Sequence, residues 1–151
     1  MSRPLIIAEA RRWIGTPYHH RASLRGVGTD CLGLIRGVWR ALYDGEPEPL
    51  PDYTQDWAEA TGAETLLEAS TRHLLPVTGA PEPGDVILFR MRRNGPARHV
   101  GIMGGTMDAP TLIHALSPYH VTESAYAPSW RKRAAAAFAF PPVPEADNAD
   151  D

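Results

Sequence analysis

The chain has 151 residues, 43% of them apolar and 22% charged, which is the size and make-up of one soluble globular domain. Its formal net charge of −3 excludes the strongly basic face that grips nucleic acid. A single cysteine excludes an internal disulfide and any four-thiolate zinc site.

Ser2 followed by Pro4 predicts a helix start, with a capping hydroxyl and a proline in the first turn. Ile6, Ala10, Trp13 and Ile14 then fall on one face, and Gly15 and Pro17 stop the helix. Met1–Ile14 is broken by Glu9, Arg11 and Arg12, so it does not read as a signal peptide. No later segment is long enough to insert in a membrane. The expectation is a chain made in the cytoplasm that needs another component to deliver it elsewhere. Residues 15–29, with Gly15, Pro17, Gly26 and Gly28, read as a loop.

The next helix begins near Asp30. Cys31, Leu34, Ile35, Val38 and Leu42 form one apolar stripe, and Asp44-Gly45 ends it. Pro47, Pro49 and Pro51 make residues 46–54 a rigid irregular connection. A weaker helix covers 63–75, with Leu67, Thr71 and Leu74 on one side. After Pro76 the period changes to two, and Asp85–Arg90, Val100–Met103, Leu112–Ala115, His120–Ser124 and Ala135–Phe140 read as strands. Gly104-Gly105 is a turn signal between the second and third of them. Helices first and an antiparallel sheet of about five or six strands after is the α+β pattern. One domain is expected over 1–141, followed by an acidic, Pro/Ala-rich tail over 142–151.

The chemistry gathers on few residues. Cys31 would occupy the first turn of its helix, where unpaired N–H groups and the dipole favour a thiolate. Gly33 would leave room beside the sulfur for a substrate backbone. The competing reading is a small core hydrophobe on the apolar stripe. A thiolate nucleophile needs a base, and the chain has six histidines. His19 and His20 lie in a loop beside Arg21, His73 is in a helix, and His120 starts a strand. His99 and His114 differ, because both lie in neighbouring strand-like runs. If those strands pair, the second imidazole could orient the first. Alternation puts His99 and Gly101 on one face, with Gly101 leaving space for a substrate cleft. Each histidine could equally be a satisfied edge-strand residue. Tyr18 could point a phenol at an oxyanion, or be a half-buried aromatic. Asp85 reads as a turn residue. A metal site from Cys31, His99 and His114 does not have zinc-finger spacing.

Taken in order, Gly15-Thr16-Pro17-Tyr18, Asp30-Cys31-Leu32-Gly33-Leu34, Pro83-Gly84-Asp85, His99-Val100-Gly101-Ile102 and Ile113-His114-Ala115 resemble the NlpC/P60 family of cell-wall cysteine peptidases. Asp30–Leu34 followed by Arg36-Gly37-Val38-Trp39-Arg40, with the later Trp130-Arg131-Lys132-Arg133, is similar to its short phage and gene transfer agent branch. The resemblance implies a papain-like core, Cys31 as nucleophile, His99 as base and His114 as the orienting third residue. It implies Tyr18 and Asp30 as substrate-binding positions, no metal or organic cofactor, and a peptidoglycan stem peptide as substrate. The bond implied is typically D-γ-glutamyl to a diamino acid. It also implies partners in a phage-like tail or baseplate, with action in the periplasm of a target cell. Two features depart from the pattern. His19-His20-Arg21-Ala22 stands where many relatives have Gly-Gly, and Leu32 stands where many have Ser. A thiol amidase or acyltransferase on the same site, and a non-catalytic tail-tip adaptor of the same fold, are the alternatives.

Overall fold

A computed structural model describes residues 2–46 and 64–144. The elements are α1 (Ser2–Arg11), β1 (Ser23–Leu24), β2 (Gly28–Thr29), α2 (Cys31–Leu42), α3 (Thr65–His73), β3 (Leu75–Pro76), β4 (Val86–Arg90), β5 (Ala97–Gly105), β6 (Pro110–Ala115), β7 (Val121–Ala125), α4 (Pro128–Arg131) and β8 (Ala134–Ala139). Six strands form an antiparallel sheet in the order β3-β8-β4-β5-β6-β7, and β1 and β2 pair separately. The fold is α+β, as the change of period along the chain predicts.

The sheet is covered on both faces. Val86, Leu88, Val100, Ile102 and Ile113 pack with Ile6, Leu34 and Val38 from the helices, while Ile87, Phe89, Met103 and Leu112 pack with Tyr126 on the far side. That is why β4 opens Val-Ile-Leu-Phe, four buried apolar residues in a row, before the partly exposed Arg90: neither face of that run meets water. α1 is tied to the sheet by Arg11, whose guanidinium grips Glu123 on β7 through two contacts of 2.9 Å. Asp85 is a turn residue as expected, accepting the Glu82 N–H at 2.8 Å and pairing with Arg3 of α1.

The α1–α2 packing depends on a missing side chain. A methyl group at Gly37 would lie 2.0 Å from the Trp13 ring, so only glycine lets the indole press onto α2. Trp13 is buried as the helical stripe predicts, but α1 ends at Arg11 and Ile14 is 45% exposed. The turn at 12–15, closed by Thr16 N–H to Trp13 C=O at 2.9 Å, rotates Ile14 off that face.

Other expectations shift at their edges. The 15–29 loop contains the β1–β2 hairpin. Gly104 and Gly105 belong to β5, and the turn to β6 falls at Thr106–Ala109, where the Thr106 hydroxyl accepts the Ala109 N–H at 3.0 Å. The Ser2 hydroxyl accepts the Val143 N–H at 3.0 Å, so the first residues after 141 run beside α1. The irregular connection is described only at its first residue, Glu46, and the acidic end of the tail, from 145, lies outside the described residues.

Candidate active site

Cys31 is the first residue of α2, and Asp30 caps that helix through a 2.7 Å bond from the Gly33 N–H. The second Asp30 oxygen accepts the Arg21 N–H at 2.8 Å. Arg21 adopts φ +65, in the left-handed region, where a residue with a Cβ loses about 1 kcal/mol. Both Asp30 oxygens therefore hold backbone N–H groups, and its carboxylate also lies 3.8 Å from His20. Tyr18 is pinned by its own backbone, donating to the Tyr119 C=O at 2.8 Å and bridging to Thr29.

Gly33 does not open space beside the sulfur. A methyl there would lie 2.0 Å from the Ala22 carbonyl oxygen, so the loop before α2 occupies that side. Gly101 likewise faces His114 and Leu112 rather than a cleft, with contacts of 3.1 and 2.7 Å for an added methyl. Both glycines serve close packing of the chain on itself, which brings the site residues together.

A cavity joins Tyr18, His20, Asp30, Cys31, Arg98 and His99. His99 and His114 lie on the same face of β5 and β6, and His99 Nε2 is 2.8 Å from His114 Nδ1. The backbone N–H groups of Val100, Leu32 and Cys31 itself favour the charged form of the sulfur. Val100 is the residue next to His99, and His99 lines the same cavity as Cys31. A hydrogen bond from nucleophile to base commonly tightens only when substrate is bound.

One aromatic side chain was not singled out for the site from its own sequence position. Trp130, on α4, packs against both imidazoles, with ring centroids 5.3 Å from His99 and 5.0 Å from His114, and against Phe89 at 5.1 Å. It covers the histidine pair from the far side of the sheet. Sequence spacing carries no signal for this, because α4 is only four residues long.

The electrostatics reverse one expectation. Burial pushes the Cys31 thiol up to about 12, with Asp30 adding to the shift, and the three backbone N–H groups offset this only in part. The resting group is a neutral thiol rather than a thiolate. Burial lowers His99 well below the ordinary imidazole range, with the charges of His114 and Arg98 acting the same way. Burial holds His114 at about 4. Burial also raises the Tyr18 phenol, with Cys31 and Asp30 adding to it and Arg98 opposing, so Tyr18 remains a donor.

This predicts acid lability. Below the unfolded histidine value of about 6.5 the unfolded chain takes up protons that the buried imidazoles refuse, so stability falls with pH. The window for His114 runs from there down to about 4. The lowered value corresponds to about 3 kcal/mol of stability lost across that window. Urea unfolding at pH 7 and at pH 4 measures it, and His114→Gln should flatten the dependence. Equal stabilities at the two pH values would contradict the buried neutral pair.

Among the described residues, no group of three or more His, Cys, Asp or Glu is placed to hold a metal ion, and no helix is long and apolar enough to cross a membrane.

An α+β domain with a buried thiol at a helix N-terminus and a histidine pair on the adjoining strands defines a class of cysteine–histidine site. Residues 15–138 match the NlpC/P60 family, and the chain belongs to that family. Solved structures agree in fold. The NlpC/p60 domain of peptidoglycan hydrolase SagA superposes with a TM-score of 0.58 at 23% identity, covering 93% of this chain and 100% of that one. An NlpC/P60 family protein from Bacillus cereus gives 0.64 at 19% identity, covering 95% of this chain and 41% of that one. The chain thus spans less than half of that protein's length. An N-acetylmuramoyl-L-alanine amidase from Bacteroides uniformis gives 0.51 at 11% identity, covering 91% and 97%. No curated protein matches by sequence.

Proposed function

We propose that the protein is a cysteine peptidase that hydrolyses peptidoglycan stem peptides. The observation that carries this reading is the cavity shared by Cys31, Tyr18 and His99, with His99 bonded through Nε2 to His114. A His99 that takes a proton at Nδ1 carries its own hydrogen on Nε2 and donates it to His114. His114 therefore selects the tautomer in which Nδ1 is the base.

The reaction starts from a neutral pair, so deprotonation of the thiol accompanies attack rather than preceding it. The sulfur bonds to the scissile carbonyl carbon as its proton passes to His99. The oxyanion meets the Tyr18 phenol and the Cys31 N–H. His99 then protonates the leaving amine, the C–N bond breaks, and a thioester remains. Water, deprotonated by His99, attacks the thioester and returns the thiol.

The scissile bond in this proposal joins a D-γ-glutamyl residue to a diamino acid. The setting is a phage-like tail that opens the wall of a target cell for DNA delivery. Asp30–Leu34 and Trp130–Arg133, which resemble the phage and gene transfer agent branch, support that setting. Mass spectrometry of muropeptides after digestion by the purified protein tests the bond. The expected products are a tripeptide-free disaccharide dipeptide and a peptide with a new diamino acid N-terminus. Release of intact stem peptide from the sugar would indicate a thiol amidase instead. No product at all would favour an adaptor role.

A further inference from the structure

Seven of the 15 Lys and Arg residues lie in two stretches, 86–107 and 124–144, that contain none of the 18 acidic residues. The fold brings these stretches together. β4 and β8 are neighbours, with Phe89 opposite Ala134, and the Arg90 N–H donates to the Arg133 C=O at 2.9 Å. Arg93 follows in the turn after β4, which is closed by the Gly95 N–H to the Arg92 C=O at 3.0 Å. Arg93, Arg131 and Lys132 are exposed and Arg133 is partly so. A net charge of −3 conceals this basic face, because every carboxylate side chain lies elsewhere in the chain.

Arg90 is paired with Glu64. Among the described residues, Arg93, Arg131, Lys132 and Arg133 have no carboxylate within ion-pair distance. Two of these cations are held in place by other means. Arg131 donates from Nε to the Tyr126 C=O at 2.9 Å, and its guanidinium lies 4.7 Å from the centre of the Tyr126 ring. Arg133 donates to the Ser129 C=O at 2.6 Å and lies 6.0 Å from the centre of the Trp130 ring. Ring faces attract these cations but leave their charge in place. Beside them Met91 and Trp130 are partly exposed and pack on one apolar cluster.

We propose that this face, α4 with the turn after β4, is a docking surface for an acidic segment of another protein. Its charge fixes the sign of the partner, and three features favour a protein over a polyanionic polymer. Guanidiniums held in position match carboxylates at fixed places through paired N–H bonds. Partly exposed Trp and Met beside Arg are residue types that protein interfaces concentrate. The patch is also short, one four-residue helix and one turn, whereas a nucleic-acid strand needs cations spread along a track. None of the four cations lines the cavity of Cys31, so the proposal stands apart from the peptidase reading.

Fluorescence anisotropy on the full chain tests this with three labelled probes of equal charge. They are a Glu-rich peptide with interspersed Leu and Phe, the same peptide with Ser at the apolar positions, and a single-stranded oligonucleotide. The first should bind about tenfold more tightly than the second, and its binding should weaken as salt rises. Replacing Arg131, Lys132 and Arg133 together by Gln should weaken it about tenfold or more. Arg131 and Arg133 also bond to the fold, so a second variant carries Arg93→Glu and Lys132→Glu at exposed positions. It should lose the same binding with unchanged urea unfolding. Peptide binding unaffected in both variants overturns the proposal, as does tighter binding of the oligonucleotide than of the first peptide. Sedimentation of the chain alone checks the other occupant. Dimers that both variants abolish would assign the face to a second copy and overturn the acidic partner.

Discussion

Cys31→Ala should lower kcat/KM on muropeptides by about 10⁴-fold or more, down to whatever the cavity achieves without a covalent intermediate. The sulfur has no substitute. It is the single thiol of the chain, and among the described residues no serine or threonine lines the cavity except Ser117. The fold should survive the change. Cys31 is 6% exposed at the start of α2, and the cap that holds this helix is Asp30 rather than the sulfur. Losing one buried sulfur leaves a small void, worth about 1 kcal/mol. Near-wild-type urea unfolding together with lost turnover is the expected pair of results. Full activity in Cys31→Ala would end the peptidase reading. Cys31→Ser should be almost as inactive, because His99 is a weakened base and a hydroxyl is harder to deprotonate than a thiol.

The raised thiol adds a condition on pH. A site that rests as thiolate and imidazolium already carries its reactive thiolate near neutrality, so its thiol reactivity levels off there. A site that rests neutral instead gains thiol reactivity as pH rises toward about 12. The alkylation rate of Cys31 should therefore keep climbing through the alkaline range rather than level off near neutrality.

What the chain reveals about itself follows the range of the forces involved. The α2 start was legible because capping is local: Asp30, Cys31 and Gly33 lie within one turn and their bonds need no partner from elsewhere. The pairing of His99 with His114 was legible because alternation along two neighbouring strands fixes their faces. Gly33 and Gly101 were misread as openings because what fills the space beside a glycine is set by distant segments, here Ala22, Leu112 and His114. The thiol's protonation was misread for the same reason. The N–H groups at the helix start are local, whereas the burial that outweighs them comes from the packed sheet and loops. The irregular pairing of β4 with β5, where Phe89 meets His99 but Arg90 meets Ala97, and the cover supplied by Trp130 arise from the register and packing of separate strands, and no single segment encodes them.

His99→Gln should cost about 10³-fold or more in kcat/KM, and His114→Gln much less, about 10- to 100-fold. The difference follows from which nitrogen each residue uses. In the proposed mechanism His99 takes the thiol's proton and gives it to the leaving amine, and glutamine can do neither. His114 only accepts the Nε2 hydrogen of His99, and a glutamine carbonyl oxygen can accept it too. His114 is also held at about 4, so at neutral pH it offers no charge to stabilise an imidazolium. Its contribution is alignment, together with Trp130, which packs on both rings. Because His114 acts through His99, the two losses should not add. The double variant should be no worse than His99→Gln alone, whereas independent roles would multiply. His114→Ala is the harsher test, since it leaves the Nε2 hydrogen without its acceptor in a buried site. There the loss should exceed that of His114→Gln. Equal activity in His114→Gln, His114→Ala and the wild type would remove His114 from the site.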